Sequence, residues 1–354
     1  MCVSILILIG CVALYSATQG SGNDELIKQL VWLGISIPVM IGIIVLDYNT
    51  IIKFAPIGYG IILISLIAVL FTSPINGATS WFIMGPVSIQ PSEFAKIFVI
   101  LTLALTISKI QENGKDQISK PLKLGLSLLV VAIPILLIIK QPDYGTAIAF
   151  VVATIFMLYT SGINRKYIII SLILIIIALP LLYFLVLPEH AKIRIDVFLN
   201  PDIDPRGSGY NIIQSKLAIG SGQLFGMGIK QGNQTQLGYL YPKTTDFIFS
   251  VIGEEMGFIT AGLIIVLYVF MITKIIYIAK TAKDDKGSYI AIGIAGIFVF
   301  HMVENIGMTM GLLPITGVPL PFVSYGGSSL LTNLILIGLV LNISARRKKS
   351  LFIE

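Results

Sequence analysis

Glu93 and Lys96 stand three residues apart in Gln90-Pro91-Ser92-Glu93-Phe94-Ala95-Lys96, which puts a carboxylate and an ammonium on one face of a helix. Asp143 lies in Lys140-Gln141-Pro142-Asp143-Tyr144-Gly145-Thr146, and Asp246 follows Thr244 and Thr245. A positioned carboxylate takes a proton from a weakly acidic hydroxyl, and a cation steadies an anionic leaving group. The sequence offers no other chemistry as clearly. It shows no phosphate-cradling Walker loop, no His/Cys metal-ligand cluster and no Ser-His-Asp arrangement. Each of these residues also has a plain structural explanation. Pro91 with Glu93 behind it is an ordinary helix start, Asp143 suits an N-cap, and Asp246 suits the positive end of a helix dipole. Glu254 with Glu255, and His301 with Glu304 on one helix face, read either as a proton path or as satisfied polar pairs in a core.

The elements that must position these groups follow from composition. The chain has 354 residues, of which 56% are hydrophobic and only 12% charged, and its mean hydropathy is +0.93. Soluble domains carry roughly 25% charged residues, so the sequence describes an integral membrane protein and excludes soluble folds. The net charge of +6 comes from basic residues between apolar runs, which sets membrane orientation and argues against a nucleic-acid partner. About 20 apolar residues cross a bilayer. Such runs predict helices over Cys2–Ala17, Leu30–Leu46, Phe54–Phe71, Pro91–Ile110, Leu124–Ile139, Tyr144–Thr160, Tyr167–Leu187, Phe247–Ile272, Tyr289–Met310 and Leu330–Ile343. The first run lacks the basic start and cleavage site of a signal peptide and is expected to stay as a span without a cytoplasmic tail. Cys2 and Cys11 within it would sit about 13 Å apart on opposite faces, too far to pair.

Alternate loops carry Lys53; Lys109, Lys115, Lys120 and Lys123; Arg165 and Lys166; Lys274, Lys280, Lys283 and Lys286; and Arg346, Arg347, Lys348 and Lys349. The short loops of the other face carry only Lys28 and Lys140, so both termini are expected in the cytoplasm. The segment from Pro188 to Thr245 is then one long extracytoplasmic loop, which crosses regardless of its own charges. It encloses an amphipathic stretch, Asn211 to Ile219. Asn76 to Trp81 reads as an interfacial loop with an aromatic anchor. Leu313 to Ser329, with three prolines, has little helical potential and is expected to line a cavity, since irregular backbone at membrane depth must be buried or face one.

These stretches, in this order and spacing, resemble the SEDS family (shape, elongation, division and sporulation), polytopic peptidoglycan glycosyltransferases. The resemblance spans nearly the whole chain. It rests on Asn76 to Lys96, Gln141 to Thr146, Asn200-Pro201 through Gly207-Ser208-Gly209-Tyr210 to Gly228, Thr245 to Phe249 with Gly253-Glu254-Glu255, and Gly311 to Ser329. Gly232 to Leu237 is more similar to the elongation member than to the division member. The resemblance implies an all-α polytopic membrane protein of about ten transmembrane helices, with residues 1–354 as a single transmembrane domain and 188–245 as its extracytoplasmic loop. It also implies polymerisation of lipid II into glycan strands on the outer face of the membrane.

In that chemistry the acceptor sugar's 4-hydroxyl attacks the anomeric carbon of a glycan held on undecaprenyl diphosphate. Asp246 matches the family's catalytic base. Lys96 and Arg194 match its cations for the diphosphate, Glu93 and Asp143 would line the cavity and orient substrate or Lys96, and Ser324 would stand at its back wall. The implied partners are lipid II, membrane lipid and a class B penicillin-binding protein acting as transpeptidase. No cofactor is implied, and a divalent cation is left open. One departure stands out: the family commonly has Leu-Pro-Glu before the Thr-Asp, where this chain has Tyr241-Pro242-Lys243. The alternatives are a transporter flipping lipid-linked precursors, with His301, Glu304, Glu254 and Glu255 carrying coupling ions; a scaffold for a transpeptidase; or the division or sporulation member of the same family.

Overall fold

The computed structural model describes residues 1–74, 78–85, 87–185, 189–204 and 207–347. Asn76 and Gly77 of the expected interfacial loop, Leu187, Pro188, Arg206, Lys348 and Lys349 lie outside them. In chain order the elements are α1 (Cys2–Ala17), α2 (Asp24–Val45), α3 (Tyr48–Ile51), α4 (Ala55–Ala68), β1 (Phe82–Met84), β2 (Val87–Ile89) and α5 (Pro91–Gln111). Then follow α6 (Pro121–Lys140), α7 (Tyr144–Thr160), α8 (Arg165–Leu185), α9 (Glu189–Leu199), α10 (Ser208–Ser221), α11 (Asn233–Gln236), α12 (Ile248–Lys280), α13 (Asp285–Thr309) and α14 (Gly327–Ala345). A helix runs through each of the ten apolar stretches. Among the described residues six are long and apolar enough to cross a membrane: α2, Tyr48–Phe71, α6, α12, α13 and α14, with α1 and α7 as shorter apolar helices. The long loop is itself largely helical, and its amphipathic stretch is α10. The two strands form an antiparallel hairpin that pairs Phe82 with Ile89.

The contacts divide the chain into two compact units. The first comprises Met1–Val31, Ile169–Met271 and His301–Gly326, and the second Trp32–Ile168, Ile272–Phe300 and Gly327–Glu354. In the second, α5 is the axis against which α4, α6, α7 and α14 pack. Gly58 permits one of these approaches, because a Cβ there would lie 2.1 Å from the Phe98 ring. The last carbonyls of α2, orphaned at a helix end, are taken up from α14. Asn342 donates to Ile43 O and Leu46 O, and the Arg346 guanidinium donates to Ile44 O (3.2 Å) and Val45 O (2.9 Å).

In the first unit α12 is not one helix. Gly257, at φ 77° and ψ 179°, breaks it directly after Glu254 and Glu255, where the sequence suggested an unbroken span. The freed backbone groups are met by the glycine-rich segment after α10. Met227 N donates to Glu254 O (2.9 Å) and Gly228 N to Glu255 O (3.0 Å), while Phe258 N and Ile259 N donate to Gln223 O and Leu224 O (2.8 and 3.2 Å). Such a break is tolerable at membrane depth only with substitutes of this kind. The fit requires glycine: a Cβ on Gly222 would lie 1.8 Å from Gly253 O. Gly222→Ala is therefore expected to destabilise the fold by about 3 kcal/mol or more, read as a lowered midpoint of thermal unfolding in detergent. Gly220→Ala, whose Cβ would meet nothing within 4 Å, should leave the midpoint nearly unchanged.

Candidate active site

In the second unit the chemistry gathers at the start of α5. Pro91 occupies the first turn, where its missing N–H would have had no partner, and Glu93 N donates to Gln90 O at 3.1 Å. Glu93 and Lys96 then meet on one face, with Lys96 Nζ 2.8 Å from Glu93 Oε2 and side-chain exposures of 0% and 3%. Few positions hold a buried lysine without such a partner, since removing one member strands an uncompensated charge.

Asp143 performs the capping role and more. Its Oδ1 accepts from Thr146 N (3.1 Å) as the N-cap of α7, while Oδ2 accepts from Gln90 Nε2 (3.0 Å) and Ser92 Oγ (3.3 Å) at the head of α5. Burial pushes its carboxyl above the usual aspartate range, the Thr146 hydrogen bonds pull it back, and the charge of Glu93 adds to the rise. Ser328, at the start of α14, donates to Ser88 O (3.1 Å) and accepts from Gln90 N (3.4 Å), fixing the turn into α5.

In the first unit the centre is Asp246, two residues before α12. Three consecutive carbonyls are held by three different donors: Thr244 O by Tyr325 N (2.9 Å), Thr245 O by Ser324 Oγ (2.7 Å) and Asp246 O by Asn305 Nδ2 (3.0 Å). The carboxylate accepts from the Thr245 side chain and feels the charge of Arg194 on α9. Burial outweighs both and raises it to about 6. Gly317 keeps space beside it, because a Cβ there would lie 3.4 Å from Asp246 Oδ2. Arg194 Nη1 also reaches Ile315 O at 3.4 Å.

The irregular stretch Leu313 to Gly326 is thus lined by donors, as its prolines required, and helix resumes at Gly327. Ser324, expected at a cavity wall, is buried and spends its hydroxyl on the backbone, donating to Thr245 O and accepting from Leu320 N (2.8 Å).

The remaining intramembrane groups take the structural option. Glu304 accepts from Thr316 Oγ1 (2.8 Å), and His301 Nδ1 lies 3.1 Å from Pro319 O, which can only accept, so that ring nitrogen carries the proton. Glu254 accepts from Gln234 N, Thr235 N and Thr235 Oγ1, and Glu255 from Gln236 Nε2. Among the described residues no group of three or more His, Cys, Asp or Glu comes together as a metal site. Two residues missed in the sequence matter here. Gln29 fell in the charged break before the second apolar run, and Asn305 was overshadowed by its ionisable neighbours. For Asn305 the available signal was an amide inside an apolar run; Gln29, beside Lys28, offered none.

A family model described as cell cycle protein, covering FtsW, RodA and SpoVE, matches residues 1–349. The chain belongs to this family. Over 352 residues it is 36% identical to the peptidoglycan glycosyltransferase MrdB of Escherichia coli K12, covering 98% of this chain and 94% of that one. It is 37% identical over 353 residues to the stage V sporulation protein E of Bacillus subtilis, covering 96% and 94%. Among solved structures it superposes with a TM-score of 0.84 on a chain of a peptidoglycan synthase complex that coordinates polymerization and crosslinking, at 27% identity and 98% and 97% coverage. On the RodA of Thermus thermophilus the TM-score is 0.73, at 28% identity and 98% and 96% coverage. This SEDS protein is accordingly an integral, multi-pass protein of the bacterial cytoplasmic membrane.

The Glu93–Lys96 pair separates two roles cleanly. Glu93→Gln or Lys96→Met alone should destabilise the protein by about 3 to 5 kcal/mol, whereas the exchange Glu93→Lys with Lys96→Glu keeps a local pair and should recover part of that. If the pair serves substrate, the folded exchange variant will still polymerise poorly. Normal glycan synthesis by that variant would leave the pair a purely structural bridge.

Proposed function

We propose that this SEDS protein is a peptidoglycan glycosyltransferase that polymerises lipid II into glycan strands for cell elongation, with Asp246 as the general base. The observation that carries the reading is the setting of Asp246. Its backbone is pinned at three successive carbonyls, glycine keeps space beside its carboxylate, and its proton affinity is raised to about 6. A sugar hydroxyl is a poor nucleophile, so its proton must pass to a base as the bond to the anomeric carbon forms. An ordinary exposed aspartate is too weak a base for this, and a carboxylate near 6 is both stronger and still mostly ionised at neutral pH. The bond that breaks joins the anomeric carbon to the undecaprenyl diphosphate. Lys96 and Arg194 are the cations we assign to the charge developing there. Glu93 pairs with Lys96 and fixes it, and Asp143 orders the start of α5 that carries both.

The peptidoglycan synthase complex among the structural neighbours supports an association with a class B penicillin-binding protein that crosslinks the strands. The transporter reading finds less support, because Glu254 is spent on backbone N–H groups, His301 on a backbone carbonyl, and Glu255 and Glu304 on the side chains of Gln236 and Thr316.

Asp246→Asn should lower polymer formation by about 10² to 10⁴ while lipid II binding persists; normal glycan chains from this variant would remove Asp246 as the base. The acid limb of kcat/KM should fall as pH drops through about 6, because the base works only when ionised. A limb near the ordinary aspartate value would contradict the assignment. The topology rests on the distribution of basic residues. In a variant lacking Cys2 and Cys11, a cysteine at Asp202 should label from outside and one at Lys115 only after permeabilisation.

A further inference from the structure

Gln29 lies in the second turn of α2 and is 3% exposed. Its side-chain amide makes two bonds to one segment: Nε2 donates to Ser324 O at 3.2 Å, and Oε1 accepts from Gly326 N at 3.1 Å. A primary amide is the side chain that offers a donor and an acceptor at the same reach, so it pairs with the peptide backbone much as a neighbouring strand would. Between those two contacts sits Tyr325, whose N–H holds Thr244 O, and Ser324 itself holds Thr245 O through its hydroxyl. The amide thus holds Ser324, which grips Thr245 O, and Gly326, and so brackets Tyr325, which grips Thr244 O. The third carbonyl, that of Asp246, is held from α13 by Asn305, which also donates to Val318 O at 2.8 Å.

We infer that Gln29 is a positioning residue for Asp246, transmitting its hold through Ser324 and Tyr325 to the backbone that aims the carboxylate. The inference rests on the proposed function only for its kinetic consequence; the placement itself is a property of the folded chain. Three features make the hold consequential. The clamped residues Ser324 to Gly326 belong to no helix or strand, and the local backbone bonds beside them are confined to one turn, where Val323 N and Ser324 N donate to Leu320 O (3.2 and 2.9 Å). Gln29 is buried, so its loss leaves Gly326 N and Ser324 O without a ready substitute. Misplacement of a reacting group by about 1 Å lowers rate by about 10²-fold. The surroundings of the carboxylate are otherwise simple: Arg194 from α9 is the charged side chain whose field reaches it, while Asn305 from α13, and Gly317 and Ser324 from the irregular segment, present none.

Gln29→Leu removes both bonds at similar volume, and Gln29→Glu keeps the acceptor for Gly326 N while losing the donor to Ser324 O. In the full-length protein in detergent, polymerising lipid II, Gln29→Leu should lower kcat about tenfold to hundredfold with little change in KM, and Gln29→Glu should lie between it and the parent. A direct readout keeps the test independent of turnover. Infrared titration of protein carrying ¹³C-carboxyl aspartate, with the Asp246→Asn spectrum subtracted, isolates the protonation of Asp246. Its midpoint should move down towards the ordinary aspartate range in Gln29→Leu, as a loosened backbone admits water to the carboxyl. A midpoint and a kcat both unchanged, with only the unfolding temperature lowered, would overturn the inference and leave Gln29 a packing residue. Should Gln29→Leu fail to fold, Gln29→Glu carries the same two readouts. If Asp246→Asn polymerises normally, the proposed base is wrong, yet the titration still decides whether Gln29 sets the surroundings of Asp246.

Discussion

Water-free surroundings oblige every backbone N–H and C=O to find a partner inside the protein, and this requirement shapes the molecule wherever its helices stop. Two stretches break the rule of continuous helix: the interruption of α12 at Gly257 and the irregular segment between α13 and α14. Each is filled by a dedicated set of donors and acceptors. At Gly257 the partners are backbone groups of the glycine-rich segment, which approaches closely because Gly222 and Gly226 lack side chains. Along Leu313 to Gly326 they are mainly side chains: Gln29, His301, Asn305 and Arg194. Polar residues in these helices therefore exist largely because the backbone next to them is not helical.

This requirement also explains why a carboxylate of raised proton affinity arises where it does. Thr244, Thr245 and Asp246 precede α12, so their carbonyls are the ones an extended helix would have satisfied from inside. Instead they are met from the irregular segment and from α13, which fixes them more rigidly than a fraying helix end would. The same crowding removes water from the Asp246 side chain and raises its proton affinity, with Arg194 and Thr245 moderating the effect. Placement and basicity come from one arrangement. In the second unit two charges meet instead: Lys96 lies in full burial beside Glu93, its partner one helical turn away.

Much of this was legible in the sequence because long apolar runs admit one solution in a bilayer, and every one of them is helical here. Motif residues such as Glu93, Lys96 and Asp246 were legible because they are charged where charge is expensive. Gln29 and Asn305 escaped notice because amides carry no charge, and their value lies entirely in which carbonyls they reach. The break at Gly257 was hidden for another reason. A single glycine inside a hydrophobic run weakens a helix without ending it, and only the distant glycines at 222 and 226 make the break affordable. Ser324 shows the converse: its place in a motif was plain, yet its work on the backbone of Thr245 was not.

The departure at Lys243 can be read in the same terms. Where the resemblance leads one to expect a glutamate, this chain has a lysine whose Nζ donates to Thr235 O at 2.9 Å. Thr235 in turn is bound through its N–H and hydroxyl to Glu254. Burial lowers the proton affinity of Lys243, while the negative charges of Glu255 and Glu25 act to raise it. A carboxylate at this position would face those two carboxylates and could offer Thr235 O no proton. The lysine thus answers the carboxylates and the buried Thr235 carbonyl around it, which are features of how this segment folds.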